Sequence, residues 1–150
     1  MADKKVTIAI CGSMRCSREV LIAGEYLIKN GYDCILPRHT DEFVSGKRQV
    51  GNTDEGARRK IEDDLMRDYH KKIGKADAIL VVNCYAKDTD NYIGGNTAME
   101  MYSAHVQNRP IYVLNDLPKD SSFQEEIVAF ESICLKGDLD KIPEKVCDYS

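Results

Sequence analysis

Two segments of this chain, Val6-Thr-Ile-Ala-Ile-Cys11 and Asp77-Ala-Ile-Leu-Val-Val82, are near-continuous apolar runs. A strand that is apolar at almost every position has both faces covered, the condition of a parallel sheet packed between helices. What lies between such runs has helical spacing. From Ser17 to Asn30 the apolar residues Val20, Leu21, Leu27 and Ile28 recur with that period, and Asn30-Gly31 closes the segment. A second short strand, Tyr32–Leu36, is stopped by Pro37. A helix is predicted from Ala57 to Ile73, with Ile61, Leu65, Tyr69 and Ile73 in steps of four and Gly74 as its stop. Further helices are predicted over Asn96–Gln107 and Phe123–Ala129, and further strands over Pro110–Leu114 and Glu131–Leu135. Residues 37–56 and 83–95 read as polar loops. Alternation of this kind gives βαβ units. The chain 1–150, without repeats or a linker, is therefore expected to be one α/β domain. Its doubly wound (flavodoxin-like or Rossmann-like) parallel sheet would have about five strands with helices on both faces.

The formal charge is −4, and cations are interspersed with acids, as in Arg58-Arg59-Lys60-Ile61-Glu62-Asp63-Asp64. That run reads as a solvated helix face, and a nucleic-acid partner is not expected. No apolar stretch approaches the roughly 20 residues of a membrane helix. Met1-Ala-Asp-Lys-Lys leads directly into the first strand, so a cytoplasmic location is expected. Six cysteines are too sparse for a disulfide scaffold and form no C-x-x-C pair. Cys11, Cys34 and Cys134 lie in apolar runs and read as small buried hydrophobes. His39, His70 and His105 are scattered, so no metal is expected. His105 reads as a core or half-buried residue, and His39, after the second strand, is the one best placed for a pocket.

In doubly wound sheets ligands bind beyond the carboxyl ends of the strands. There the chain has Gly12-Ser13-Met14-Arg15-Cys16-Ser17-Arg18, with a glycine for close approach, hydroxyls, helix-start N–H groups, and the fixed charges of Arg15 and Arg18. These suit a phosphate or a polyhydroxylated sugar; a capped helix with Ser17 as N-cap accounts for the same residues. The second segment is Asn91-Tyr-Ile-Gly94-Gly95-Asn96-Thr97-Ala-Met-Glu100. Here the glycines allow a tight turn into a helix capped by Asn96 or Thr97, and Glu100 shares a face with both. Ser103, Ala104 and Gln107 continue that face, against a more apolar stripe of Ala98, Met101, Tyr102 and His105. Asp64 and Asp68 are an i,i+4 pair on the preceding helix, and a carboxylate facing Glu100 would permit two-carboxylate chemistry at a glycosidic carbon.

Three stretches, in this order, resemble the nucleoside 2-deoxyribosyltransferase superfamily, nearest its deoxynucleoside 5′-monophosphate N-glycosidase branch. They are Gly12-Ser-Met-Arg15, Ala76-Asp77-Ala-Ile-Leu-Val, and Gly95-Asn-Thr-Ala-Met-Glu100 running on to Ala104 and Arg109-Pro-Ile-Tyr-Val. The resemblance extends from Val6 to about Leu114. It implies that Glu100 is a nucleophile forming a covalent glycosyl intermediate, and that the substrate is a nucleoside or nucleoside 5′-monophosphate. Water or a second base would complete hydrolysis or transfer. It also implies a second acid from the helix before the third strand, where Asp68 is nearest though slightly out of register. By the resemblance Gly12, Ser13 and Arg15 would hold sugar or phosphate, with Arg18 added; by position, His39 after the second strand and Gly94, Gly95 and Asn96 at the glycine turn are the other candidate binding residues. No cofactor is implied, and a homo-oligomer, such as a dimer, is. The 37–56 loop would act as a lid over the base. Two other readings stand beside this one. The 12–17 loop, with Tyr85 or Tyr92 and the Gly pair, also resembles flavodoxin-like FMN reductases, which give Glu100 no role. A nucleotide-binding module without turnover is the other.

Overall fold

The computed structural model describes residues 4–62 and 64–143. Strands β1 (Thr7–Cys11), β2 (Asp33–Ile35), β3 (Ala78–Val81), β4 (Ile111–Val113) and β5 (Ile133–Cys134) form one sheet in the order β2-β1-β3-β4-β5. Every pairing is parallel, with Ile8 opposite Ala78 and Leu80 opposite Tyr112. The apolar runs are explained by two cores. Side chains alternate along a strand, so Ile8, Ile10, Ala78 and Leu80 enter one core with Val20, Ala23 and Leu27 of helix α1 (Ser17–Lys29). Ala9, Cys11, Ile79 and Val81 enter the other. That second core is closed by Tyr69 and Ile73 of α4 (Leu65–Lys75), Met101 and Ala104 of α5 (Gly95–Val106), and Ile127 of α6 (Gln124–Ala129). The fold is thus the doubly wound α/β class. Among the described residues no helix is long and apolar enough to cross a membrane.

Several local expectations change. The polar loop 37–56 contains a short helix, α2 (Thr40–Ser45), and the start of α3 (Thr53–Glu62). The single helix expected over 57–73 is two helices, α3 and α4, because Asp64 between them adopts a left-handed φ of 49°. Ile61, the first step of the apolar stripe, consequently lies 79% exposed, and α3 buries no residue at all. Gly74 does not stop α4, which runs to Lys75; Gln107 packs where its Cβ would be. Of the charged run 58–64, Asp63 lies outside the described residues, as does Cys147 among the cysteines. His105 is exposed, with its ring 5.7 Å from that of Phe130, rather than core or half-buried, and Tyr102 is 58% exposed. Cys11 is fully buried, whereas Cys34 and Cys134 are only half-buried.

Strand order reverses at β1, whose following segment runs to one edge while β3 lies on its other side. The turns after β1 and β3 therefore meet at one end of the sheet. Gly12, directly after β1, is required there: a Cβ would sit 2.9 Å from the Val82 carbonyl oxygen and 3.1 Å from Val20 Cγ2.

Candidate functional site

A cavity of about 250 Å³ opens where these turns meet. Its lining includes Gly12, Ser13, Met14 and Arg15 after β1, Arg38 after β2, and Arg59 and Lys60 of α3. Asp68 and Tyr69 of α4, Lys87 and Tyr92 after β3, and Gly94, Gly95, Asn96, Thr97 and Glu100 at the start of α5 complete it. Of the site residues expected from sequence, Gly12, Ser13, Arg15, Asp68, Gly94, Gly95, Asn96 and Glu100 are brought together. Arg18 and His39 are not among the lining residues. Arg18 is exposed on α1, and the His39 ring is turned to Glu42, with Nδ1 2.9 Å from Oε2.

Capping differs from expectation in a way that frees side chains for the cavity. Residues 14–16 form a 3₁₀ turn capped by Ser13, whose Oγ accepts from the Arg15 N–H at 3.2 Å. Ser17 is the first residue of α1, not its N-cap, and its hydroxyl donates to the Met14 carbonyl at 2.6 Å. At α5 the N-cap is Gly94, in extended backbone, so neither Asn96 nor Thr97 caps the helix. Asn96 Nδ2 instead donates to Glu100 Oε1 at 3.2 Å, holding that carboxyl one turn into the helix.

Burial pushes the Glu100 carboxyl up to about 8, and the nearby Lys60 ammonium pulls it partly back. The residue as a whole is only half-buried. Protonation responds to what surrounds the oxygens, and these are enclosed, so the raised value governs. Asp68 goes the other way. Its carboxylate is 3.0 Å from Lys72 Nζ and 3.0 Å from an Arg38 guanidinium nitrogen, and Lys72 and Arg38 hold it below the usual carboxylate range. At neutral pH the cavity therefore pairs a protonated Glu100 with an ionised Asp68. Replacing Lys60 by methionine is expected to move the Glu100 midpoint further up, since the change removes the cation that lowers it. A pH titration of the Glu100 carboxyl carbon by NMR checks this, and an unmoved midpoint would mean that Lys60 does not act on Glu100.

Tyr69 bolts α4 to the sheet beneath the cavity, its hydroxyl donating to the Ile10 carbonyl and lying 3.3 Å from that of Ile35. Asp77, part of the resemblance, accepts from the Thr7 N–H at 2.8 Å at the opposite end of the strands and is structural. A second cavity of about 200 Å³, between α4 and α5, is lined by Met66, Met99, Tyr102 and Val106, with Leu65, Tyr69, Asn96 and Glu100 shared between the two. In it His70 Nδ1 is 2.7 Å from Ser103 Oγ. Among the described residues no cluster of three His, Cys, Asp or Glu side chains is placed to hold a metal ion.

Several lining residues were not singled out from the sequence: Arg38, Arg59, Lys60, Lys87 and Tyr69. Arg59 and Lys60 belong to the run read as a solvated face; no local signal separates them from Arg58, which is exposed. A disulfide joins Cys16 and Cys84, a pairing that no spacing in the sequence signals. It ties the 3₁₀ turn after β1 to the loop after β3, two of the segments that line the cavity. No protein-family model matches the sequence, and no curated protein matches it either.

Proposed function

We propose that the protein cleaves or transfers the N-glycosidic bond of a nucleoside or nucleoside 5′-monophosphate, with Glu100 as the attacking group. The observation that carries this reading is the placement of the Glu100 carboxyl, held by Asn96 in the same cavity as the Gly12–Arg15 turn. A carboxylate there would bond to the anomeric carbon while the carbon–nitrogen bond breaks. The electron pair leaves with the base, which takes a proton from solvent. Water, or the nitrogen of a second base, then displaces the Glu100 ester and restores the carboxylate.

The electrostatics assign the two acids unequally. Glu100 must lose its proton before it attacks, so activity should rise with pH toward about 8. Asp68, held ionised by Lys72 and Arg38, suits an orienting role better than proton donation to the leaving base. That same pattern favours a second reading, a nucleotide-binding module without turnover, in which a protonated Glu100 donates a hydrogen bond to its ligand.

Chromatographic detection of free base separates the two. A panel of nucleosides and 5′-monophosphates would be incubated with wild type and with Glu100→Ala, with and without an acceptor base. Base release that disappears in the variant supports the glycosidic reaction, and the acceptor lanes divide hydrolysis from transfer. Saturable binding with no base released from any of them favours the binding module. The resemblance behind this reading also implies a homo-oligomer, which sedimentation velocity decides.

A further inference from the structure

The chain as a whole carries a net charge of −4, yet the cavity at the carboxyl ends of the strands is strongly cationic. Among the described residues, Arg15, Arg38, Arg59, Lys60 and Lys87 line it against only two carboxylates, Asp68 and Glu100. Glu100 is protonated at neutral pH, and Asp68 is already engaged by Arg38 and Lys72. Arg59 and Lys60 are neighbours on α3 and repel one another. The Arg59 guanidinium is held beside the turn after β1, stacked 5.2 Å from the Phe43 ring centroid with a terminal nitrogen 3.2 Å from Met14 Sδ. Its Nε is buried and finds no hydrogen-bond partner among the described residues. Lys87, from the loop after β3, faces the Tyr92 ring.

Gathering like charges in a half-enclosed cavity is unfavourable unless an anion joins them, and the field they create there draws anions in. The turn at Gly12–Arg15 supplies the Ser13 hydroxyl and one guanidinium, enough for a single phosphate. Beyond the turn stand Lys87 and the α3 pair, from two other segments of the chain. A phosphate monoester carries about −1.5 to −2 at neutral pH, which Arg15 and Lys87 already balance, so the α3 pair is left without an anion to serve.

We infer that the cavity is built for a ligand with two adjacent phosphates, the second held by Arg59 and Lys60 of α3. This deepens the proposed function by naming the substrate class, and rests on that reading only for the nucleoside portion. The pyrophosphate is either terminal, as in a nucleoside 5′-diphosphate, or bridging, as in a nucleoside diphosphate sugar.

Isothermal titration calorimetry would compare a nucleoside, its 5′-monophosphate, its 5′-diphosphate and the corresponding diphosphate sugar. The proteins would be wild type, the double variant Arg59→Gln/Lys60→Gln, and Arg58→Gln as a control of equal type on the exposed side of the same helix. The diphosphate or the diphosphate sugar is expected to bind wild type at least about tenfold more tightly than the monophosphate, which tells the terminal from the bridging form. In the double variant that advantage disappears while monophosphate affinity changes much less; Arg58→Gln retains it. The advantage should also shrink with added salt more steeply than monophosphate binding does. Because α3 buries no residue, the double variant should stay folded, losing only the Arg59 contacts to Phe43 and Met14, and a melting curve verifies it. Equal affinity for mono- and diphosphate forms, or an advantage that survives in the double variant, overturns the inference. Glu100-dependent base release without a diphosphate preference would leave the proposed reaction standing and sink this inference alone. A diphosphate preference lost in the double variant, with no base released, would do the reverse.

Discussion

Glu100→Gln is expected to be the more stable protein at pH 8.5, by about 5 kcal/mol, while losing at least about 10³-fold in base release. The carboxyl titrates at its ordinary value of 4.5 in the unfolded chain and at about 8 in the folded one. Between these values the folded protein holds a proton that the unfolded chain has released. Wild-type stability is therefore full below about 4.5 and falls as pH rises through about 8. Glutamine preserves the shape and the hydrogen-bonding capacity toward Asn96 but has no proton to lose, so the decline is absent in the variant. Urea denaturation of both proteins at pH 5 and pH 8.5 isolates the effect, because every other titrating group is common to the two. Parallel profiles would mean that the carboxyl is not enclosed in the folded state.

Asn83→Ala is expected to cost about 3 kcal/mol. Asn83 follows β3, is fully buried, and joins the ends of two strands. Its Nδ2 donates to the Asp116 carbonyl at 2.8 Å, and its Oδ1 accepts from the Asn115 N–H at 3.0 Å. Asn115 returns the contact, its Nδ2 donating to the Asn83 carbonyl at 2.8 Å. Alanine removes the partners of the half-buried Asn115 N–H and of the Asp116 carbonyl and leaves a gap where the fully buried Asn83 amide sat, and unpaired groups cost more than the bond alone was worth. The loss is read from urea denaturation at pH 6, away from the Glu100 midpoint. A cost below about 1 kcal/mol would show that the freed groups find water.

What was legible in the sequence is what is encoded locally. Val6–Cys11 and Asp77–Val82 are apolar throughout because each strand faces two cores, and that double burial needs no knowledge of the partners. The carboxyl-end turns followed from the same logic, and with them Gly12, Glu100 and most of the cavity wall. The failures share a different cause. Ile61 fits the apolar stripe of α4 by spacing, but the left-handed Asp64 rotates it away into solvent. Cys16 and Cys84 are 68 residues apart, and only the adjacency of β1 and β3 brings them together. Arg59 and Lys60 have the composition of a surface helix and sit on one; their cavity role depends on where the polar segment 37–56 leads the chain. At both α1 and α5 the side chains whose types suit a cap serve a neighbouring turn and a carboxylate instead.

Helix α3 holds no buried residue and yet presents two of the cavity's cations. Substitutions on an element of this kind usually change stability by no more than about 0.5 kcal/mol. The sheet and its two cores can therefore stay as they are while the charge, length and hydrogen-bonding of the α3 side chains drift. If Arg59 and Lys60 set what the cavity binds, that preference can change through two adjacent codons while the sheet and its two cores are left unaltered.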